Sequence, residues 1–96
     1  MADELTEDGR VHDDYRIDYL RGHIQAISDA IDDGVEMMGY CPWSVMDLLS
    51  SHQGFRKRYG FIYINRDDFN LKDLGRIKKD SFYWYQNVIK TNGENL

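Results

Sequence analysis

Apolar residues at Ile17, Leu20, Ile24, Ile27 and Ile31 recur at alternating steps of three and four. That period stacks them on one helical face. The pattern predicts a helix from Asp13 to Asp33, with Asp13 or Asp14 as its cap and Gly34 as its stop. The next stretch, VEMMGYCPW at Val35 to Trp43, is short, apolar and bounded by Gly34 and Pro42, and it reads as a buried strand. SVMDLLSS, residues 44–51, fits one helical turn or two. FIYIN, residues 61–65, has the β-branched and aromatic composition of a strand, and RDDFNLKD after it reads as a loop. A last element opens at Asp80 or Ser81 and runs through FYWYQNVIK to Gly93. It reads as a helix with an aromatic, core-facing side, strand being the competing reading. Met1 to Asp14 is polar and acidic, with Glu7-Asp8-Gly9 as a turn signal.

Helix, buried strand, excursion, helix is the rhythm of an α/β protein with a parallel sheet. A parallel strand needs cover on both faces and a neighbour on each side, and the sequence offers one convincing central strand and one weaker candidate. The 96 residues therefore read as a single partial domain, 1–96. Charge is unevenly spread: residues 1–50 hold three basic against twelve acidic side chains, and residues 51–96 hold nine against five. No nucleic-acid recognition motif accompanies the basic half, so nucleic acid is not an expected partner. No apolar stretch approaches the roughly 20 residues that cross a membrane. The single cysteine, Cys41, can form no internal disulfide, which suits a reducing, cytoplasmic setting. His12, His23 and His52 lack metal-ligand spacing, and no cofactor or metal is expected.

Arg56, Lys57 and Arg58 are gathered between a serine run and Tyr59 in an acidic chain. Such a loop is either a solvated turn or a place where an anion is held. The stretch GYCPWSVMDLLSSHQGFRKRYGFIYIN, followed by KKDSFYWYQNVIKTNG, closely resembles the C-terminal end of family 1 glycoside hydrolases, and within them the 6-phospho-β-glucosidases. DELTEDGRVHDDYRIDYLRGHI resembles the segment that follows strand seven in that family. The resemblance covers nearly the whole chain and rests on Trp-Ser-x-x-Asp, Lys-x-Tyr-Gly-Phe and Ser-Phe-Tyr-Trp-Tyr.

The resemblance implies a (β/α)8 TIM barrel, a fold of about 250 residues or more, of which this sequence would be the last quarter. Asp13 to Asp33 would be helix seven, Val35 to Trp43 strand eight and Ser81 to Lys90 helix eight. FIYIN would lie in the long connection between the last two. The resemblance assigns Ser50, Lys57 and Tyr59 to the phosphate of a 6-phosphoglycoside. Relatives acting on unphosphorylated sugars carry a glutamate-tryptophan pair where this chain has Ser50 and Ser51. A hydroxyl in place of a carboxylate removes repulsion and adds a donor, while Lys57 brings a point charge and Tyr59 an O–H donor. Gly54 would let the loop fold back, and Arg56 and Arg58 would point away. Trp43 reads either as a core tryptophan or, by the resemblance, as the platform under the sugar ring. The small Ser51 implies preference for gluco- over galacto-configured substrates. Asp47 is expected to orient loop backbone. The peptide after the platform tryptophan is commonly cis in the family, which here is Trp43–Ser44.

Retaining glycosidases need two carboxylates about 5 Å apart. The family carries them in Asn-Glu-Pro and Glu-Asn-Gly motifs, and this sequence contains neither; Glu94-Asn95 is a false match because Leu96 follows. The expected function is thus the C-terminal part of a 6-phospho-β-glucosidase that carries the sugar-phosphate subsite and hydrolyses nothing by itself. A stand-alone sugar-phosphate-binding module and a protein-interaction module are the alternatives. Unpaired edges on VEMMGYCPW predict either self-association, pairing with a missing barrel partner, or borrowing of FIYIN as a neighbour.

Overall fold

A computed structural model describes residues 3–48 and 57–96. Ser50, Ser51, His52, Gly54 and Arg56 lie outside the described residues. The chain forms α1 (Asp14–Asp32), β1 (Ile62–Ile64), β2 (Arg76–Lys78) and α2 (Asp80–Thr91). Both helices fall within one or two residues of their expected ends.

α1 ends where the sequence places its stop. Gly34 takes φ 95°, a conformation open to glycine, and Val35 N–H donates back to the Ala30 carbonyl at 3.0 Å. Burial along its apolar face is graded: Leu20 is buried, Ile17, Ile24 and Ile27 are half-buried, and Ile31 is exposed. Asp13 occupies the N-cap position but does not cap α1 with its side chain. Its carboxylate instead accepts the Ser81 N–H at 2.9 Å and the Ser81 hydroxyl proton. Asp80 N–H donates to the Val11 carbonyl at 3.0 Å. Two of the donors that a helix leaves unpaired at its start are therefore satisfied from a segment nearly seventy positions away, and a carboxylate sits against the positive end of α2. His12 adds an exposed pair with Asp80 at 2.6 Å.

The sheet departs from expectation. β1 pairs with β2 antiparallel, Tyr63 opposite Ile77, whereas a parallel sheet was expected and residues 76–78 were assigned to no element. The ladder is prolonged by Lys79 N–H to the Phe61 carbonyl at 2.9 Å and Asn65 N–H to the Gly75 carbonyl at 2.8 Å. Val35 to Trp43 is not a strand. No backbone hydrogen bond joins residues 36–43 to a neighbour among the described residues, and Val35, Met37 and Met38 are exposed. Strand structure is a property of a pair, and an apolar run without an adjacent ladder cannot adopt it. FIYIN does not serve as that neighbour, because its partner is β2. Residues 44–47 run beside 59–62 instead of forming a helical turn: Ile62 N–H donates to the Val45 carbonyl and Asp47 N–H to the Ile62 carbonyl, with a parallel bridge between Met46 and Ile62.

The core is small: Val11, Leu20, Phe61, Tyr63, Ile64 and Val88 are buried. Phe61 stacks on Tyr85 of α2, with centroids 5.1 Å apart, and the Arg21 guanidinium of α1 lies over Trp84. Gly60 fixes how closely the two loop segments approach. A Cβ at that position would stand 2.2 Å from the Met46 carbonyl carbon and 2.4 Å from the Asp47 nitrogen, both backbone atoms. Gly60→Ala should therefore force residues 44–47 and 59–62 apart and destabilise the chain by about 2 kcal/mol or more. Urea unfolding measures the loss, and exchange of the Ile62 amide should accelerate; a wild-type midpoint would contradict the close approach.

Candidate functional site

Trp43, Lys57 and Tyr59 line one open concavity of about 770 Å³, together with Arg58 and Cys41. Its opposite wall is contributed by α1 through Tyr15, Tyr19 and His23. Trp43 is 71% exposed, so it is not a core tryptophan in this structure. The Trp43–Ser44 peptide is cis, as expected. Lys57 is exposed, and its ammonium lies 5.5 Å from the centre of the Tyr59 ring. Among the described residues no carboxylate pairs with Lys57, which leaves a solvent-facing positive charge at the edge of an aromatic wall. Such a combination suits a ligand with an anionic end and an apolar face. Ser50 and Ser51 lie outside the described residues.

Behind this surface lies a network the sequence did not reveal. Three acids, Asp3, Asp13 and Asp47, and three bases, Arg16, Arg58 and Lys79, have side chains no more than 9% exposed. Charges of both signs are equal in number, the condition under which buried ions avoid a net desolvation penalty that no partner offsets. Lys79 donates to Asp47 at 2.7 Å and also to Asp3. Arg58 donates to Asp47 at 2.8 Å and to the carbonyls of Ile64 and Arg66, both at 2.8 Å. Arg16 joins Asp13 and Asp3, and its other terminal nitrogen donates to the Arg58 carbonyl at 2.7 Å and to the Tyr15 hydroxyl at 2.8 Å. Among the described residues no buried side-chain nitrogen or oxygen lacks a partner.

Asp47 does what the sequence suggested, in a fuller form. Its carboxylate accepts the Gly60 N–H at 3.1 Å and the Ile64 N–H at 3.4 Å besides the two cations. Arg58, expected to point away, lines the same concavity, but its guanidinium is engaged in the network. Lys79 and Asp3, separated by 76 positions, offered no local signal. His12 and His23 are engaged with Asp80 and with Tyr19 and Tyr40.

The electrostatics follow from these contacts. Burial alone would raise the Asp3 carboxyl; the Lys79 ammonium, the Tyr15 hydroxyl and the Arg16 guanidinium outweigh it and hold Asp3 below its ordinary 3.8. Burial and the Asp3 carboxylate together push the Tyr15 phenol well up, so it remains a donor at neutral pH. Burial would lower Arg16, but Asp3 and Asp13 raise it further.

Residues 1–94 match the sequence profile of Glycosyl hydrolase family 1. An aryl-phospho-β-D-glucosidase of Bacillus subtilis is 63% identical over 93 residues, 97% of this chain and 20% of the relative. A 6-phospho-β-glucosidase of Escherichia coli is 50% identical over 95 residues, 98% of this chain and again 20% of the relative. In structure, the family 1 β-glucosidase of Thermotoga maritima superposes with a TM-score of 0.87 at 45% identity, covering 98% of this chain and 20% of that one. The chain belongs to glycosyl hydrolase family 1, and it spans about one fifth of the length of the curated relatives it matches. No helix among the described residues is long and apolar enough to cross a membrane.

The Asp3 shift gives a signed pH dependence. A carboxyl with a lowered folded pKa contributes stability that is present above its unfolded value of 3.8 and lost as pH falls through the lower folded value. Asp3→Asn should lose about 3 kcal/mol at pH 7, since it leaves Lys79 and Arg16 short of a buried counter-charge, and should flatten the decline of stability below pH 4. Urea titrations at pH 7, 4 and 3 measure both effects; parallel wild-type and variant curves across that range would contradict the assignment.

Proposed function

We propose that these residues are the C-terminal part of a barrel glycosidase acting on 6-phospho-β-glucosides and that they supply its sugar-phosphate subsite. In this reading Lys57 and Tyr59, with Ser50, hold the phosphate, and Trp43 lies under the sugar ring. α1 corresponds to the seventh barrel helix, residues 35–43 to the eighth strand and α2 to the eighth helix. The observation that carries the reading is the exposed Lys57, which pairs with no carboxylate among the described residues, beside Tyr59 and Trp43 in one concavity. The names of the relatives support a phosphorylated substrate, and the Thermotoga β-glucosidase, whose name mentions no phosphate, matches almost as well. Overall likeness therefore does not separate the two substrate classes. A few side chains must do so, and a lysine with no carboxylate partner favours the anion.

The chemistry divides between charge and shape. A phosphate dianion gains charge-assisted hydrogen bonds from an ammonium and hydroxyls, roughly twice as strong as neutral ones. A pyranose offers an apolar face to an aromatic ring. Ser51, small where a larger residue would reach an axial hydroxyl, favours the gluco configuration. The catalytic carboxylates are absent from these residues, so binding is their contribution and bond cleavage is not. Residues 35–43, exposed and without a ladder partner, suit pairing with neighbouring barrel strands, and a second copy of the chain is the alternative partner.

Titration of the chain with glucose 6-phosphate, followed by NMR, tests the reading. Shifts are expected at Lys57, Tyr59 and the Trp43 indole, larger than with glucose or galactose 6-phosphate. Lys57→Ala should weaken binding about tenfold or more, the worth of one hydrogen bond to a charged group. Equal response to glucose and glucose 6-phosphate, or unchanged binding after Lys57→Ala, would overturn it.

A further inference from the structure

We infer that Arg58, clamped by Asp47, is a positioning residue that sets the direction in which Lys57 and Tyr59 face; the inference rests on the sugar-phosphate reading of that face. Lys57 sits at a bend and residues 58–60 form no regular element, so no backbone repeat dictates which way these side chains face. The facing is set instead by what holds the segment: the Arg58 guanidinium is drawn into the network while Lys57 and Tyr59 line the concavity. Their mutual contact, the ammonium 5.5 Å from the ring centre, is what shared facing requires.

The inward turn of Arg58 is determined by several bonds at once. Its guanidinium is 7% exposed, meets the Asp47 carboxylate at 2.8 Å and reaches two carbonyls, Ile64 and Arg66. It also lies over the Tyr63 ring, 4.1 Å from the centroid. The backbone on either side is held as well. Arg16 grips the Arg58 carbonyl, the Tyr59 carbonyl accepts the Ser44 N–H at 3.3 Å, and Asp47 accepts the Gly60 N–H. Two successive peptide units, 58–59 and 59–60, are thus held, the second at both its carbonyl and its N–H, and that carbonyl is tied to the residue that follows Trp43. Asp47 in turn is held by Lys79, so its charge is balanced whether or not an anion is bound. Because its guanidinium is engaged on every side, Arg58 is not a ligand for the anion. It acts through its neighbours. A lysine or methionine at 58 lacks the fork that reaches a carboxylate and two carbonyls together, so neither can hold the segment as arginine does.

The test combines a ligand-free readout with a mutant cycle. In the 96-residue chain, a nuclear Overhauser contact between the Lys57 side chain and the Tyr59 ring is expected, and Arg58→Met should abolish it while the amide spectra of α1 and α2 keep their dispersion. Glucose 6-phosphate binding should weaken about tenfold in Arg58→Met, yet by less than about twofold when the same change is made in Lys57→Ala, because Arg58 acts through Lys57. Losses that add in full, or an Overhauser contact that survives Arg58→Met, overturn the positioning role. Unchanged binding in Lys57→Ala overturns the sugar-phosphate reading instead, while the Overhauser contact still judges the positioning. Should Arg58→Met not fold, Arg58→Lys decides: it keeps a cation for Asp47 without the fork, and a weakened contact with about threefold looser binding is expected, whereas wild-type values in both overturn the inference.

Discussion

The Asp47 carboxylate is the point on which the described fold turns. It is 4% exposed and meets two cations and two backbone N–H groups, from different stretches of the chain. Lys79 brings in the start of α2, Arg58 and Gly60 the segment before β1, and Ile64 the end of β1 itself. A single charged group thus fixes the relative placement of elements that share little apolar contact. Six buried hydrophobic residues are a modest core for this length, and an isolated two-stranded hairpin is marginal in water. Directional bonds to Asp47 supply the specificity that packing alone does not.

Buried ions are weak evidence for stability as such, because desolvation opposes the gain. Their consequence here is uniqueness. With three acids and three bases, each engaged more than once, any shift of register would strand a charge without its partner. Asp13 illustrates this. The same carboxylate that could cap α1 is spent on the first turn of α2 and on Arg16, so the position of α2 is fixed by the residue that begins α1. The N-terminal segment enters the same system through Asp3, which makes a polar, acidic stretch part of the fold and not a tail.

Legibility in the sequence followed the range of the interactions. Both helices could be read within a residue or two, because the period of three and four and the glycine stops are local. The turn at Glu7-Asp8-Gly9 was equally local and is present, with Gly9 at φ 78° and its N–H on the Thr6 carbonyl. The strand expected at Val35 to Trp43 failed because apolar composition states a preference for burial and says nothing of whether a neighbour exists. β2 was missed because Arg-Ile-Lys carries only one apolar residue, half-buried, between two exposed charges. The candidate site was legible only through the resemblance, which named Trp43, Lys57 and Tyr59; composition alone favoured a solvated turn. The ion network was not legible at all, since its members lie up to 76 positions apart and each looks like an ordinary surface charge.

The two halves of the site region differ in what holds them. Residues 44–47 and 58–62 are bound to each other and to the network, so the backbone that carries Tyr59 is held inside the described residues. Residues 35–43, by contrast, find no ladder within them, and Met38 is fully exposed. An apolar, unpaired stretch of this kind gains most from further strands, whatever chain they belong to. The orientation of the cationic face does not depend on that pairing, because no bond of the Asp47 system passes through residues 35–43. Trp43 stands at the junction. Its ring projects from the unpaired stretch, while the next residue, Ser44, is tied to the Tyr59 carbonyl at 3.3 Å. Cover for residues 35–43 would therefore act on the aromatic side of the concavity and leave the charged side as the network sets it.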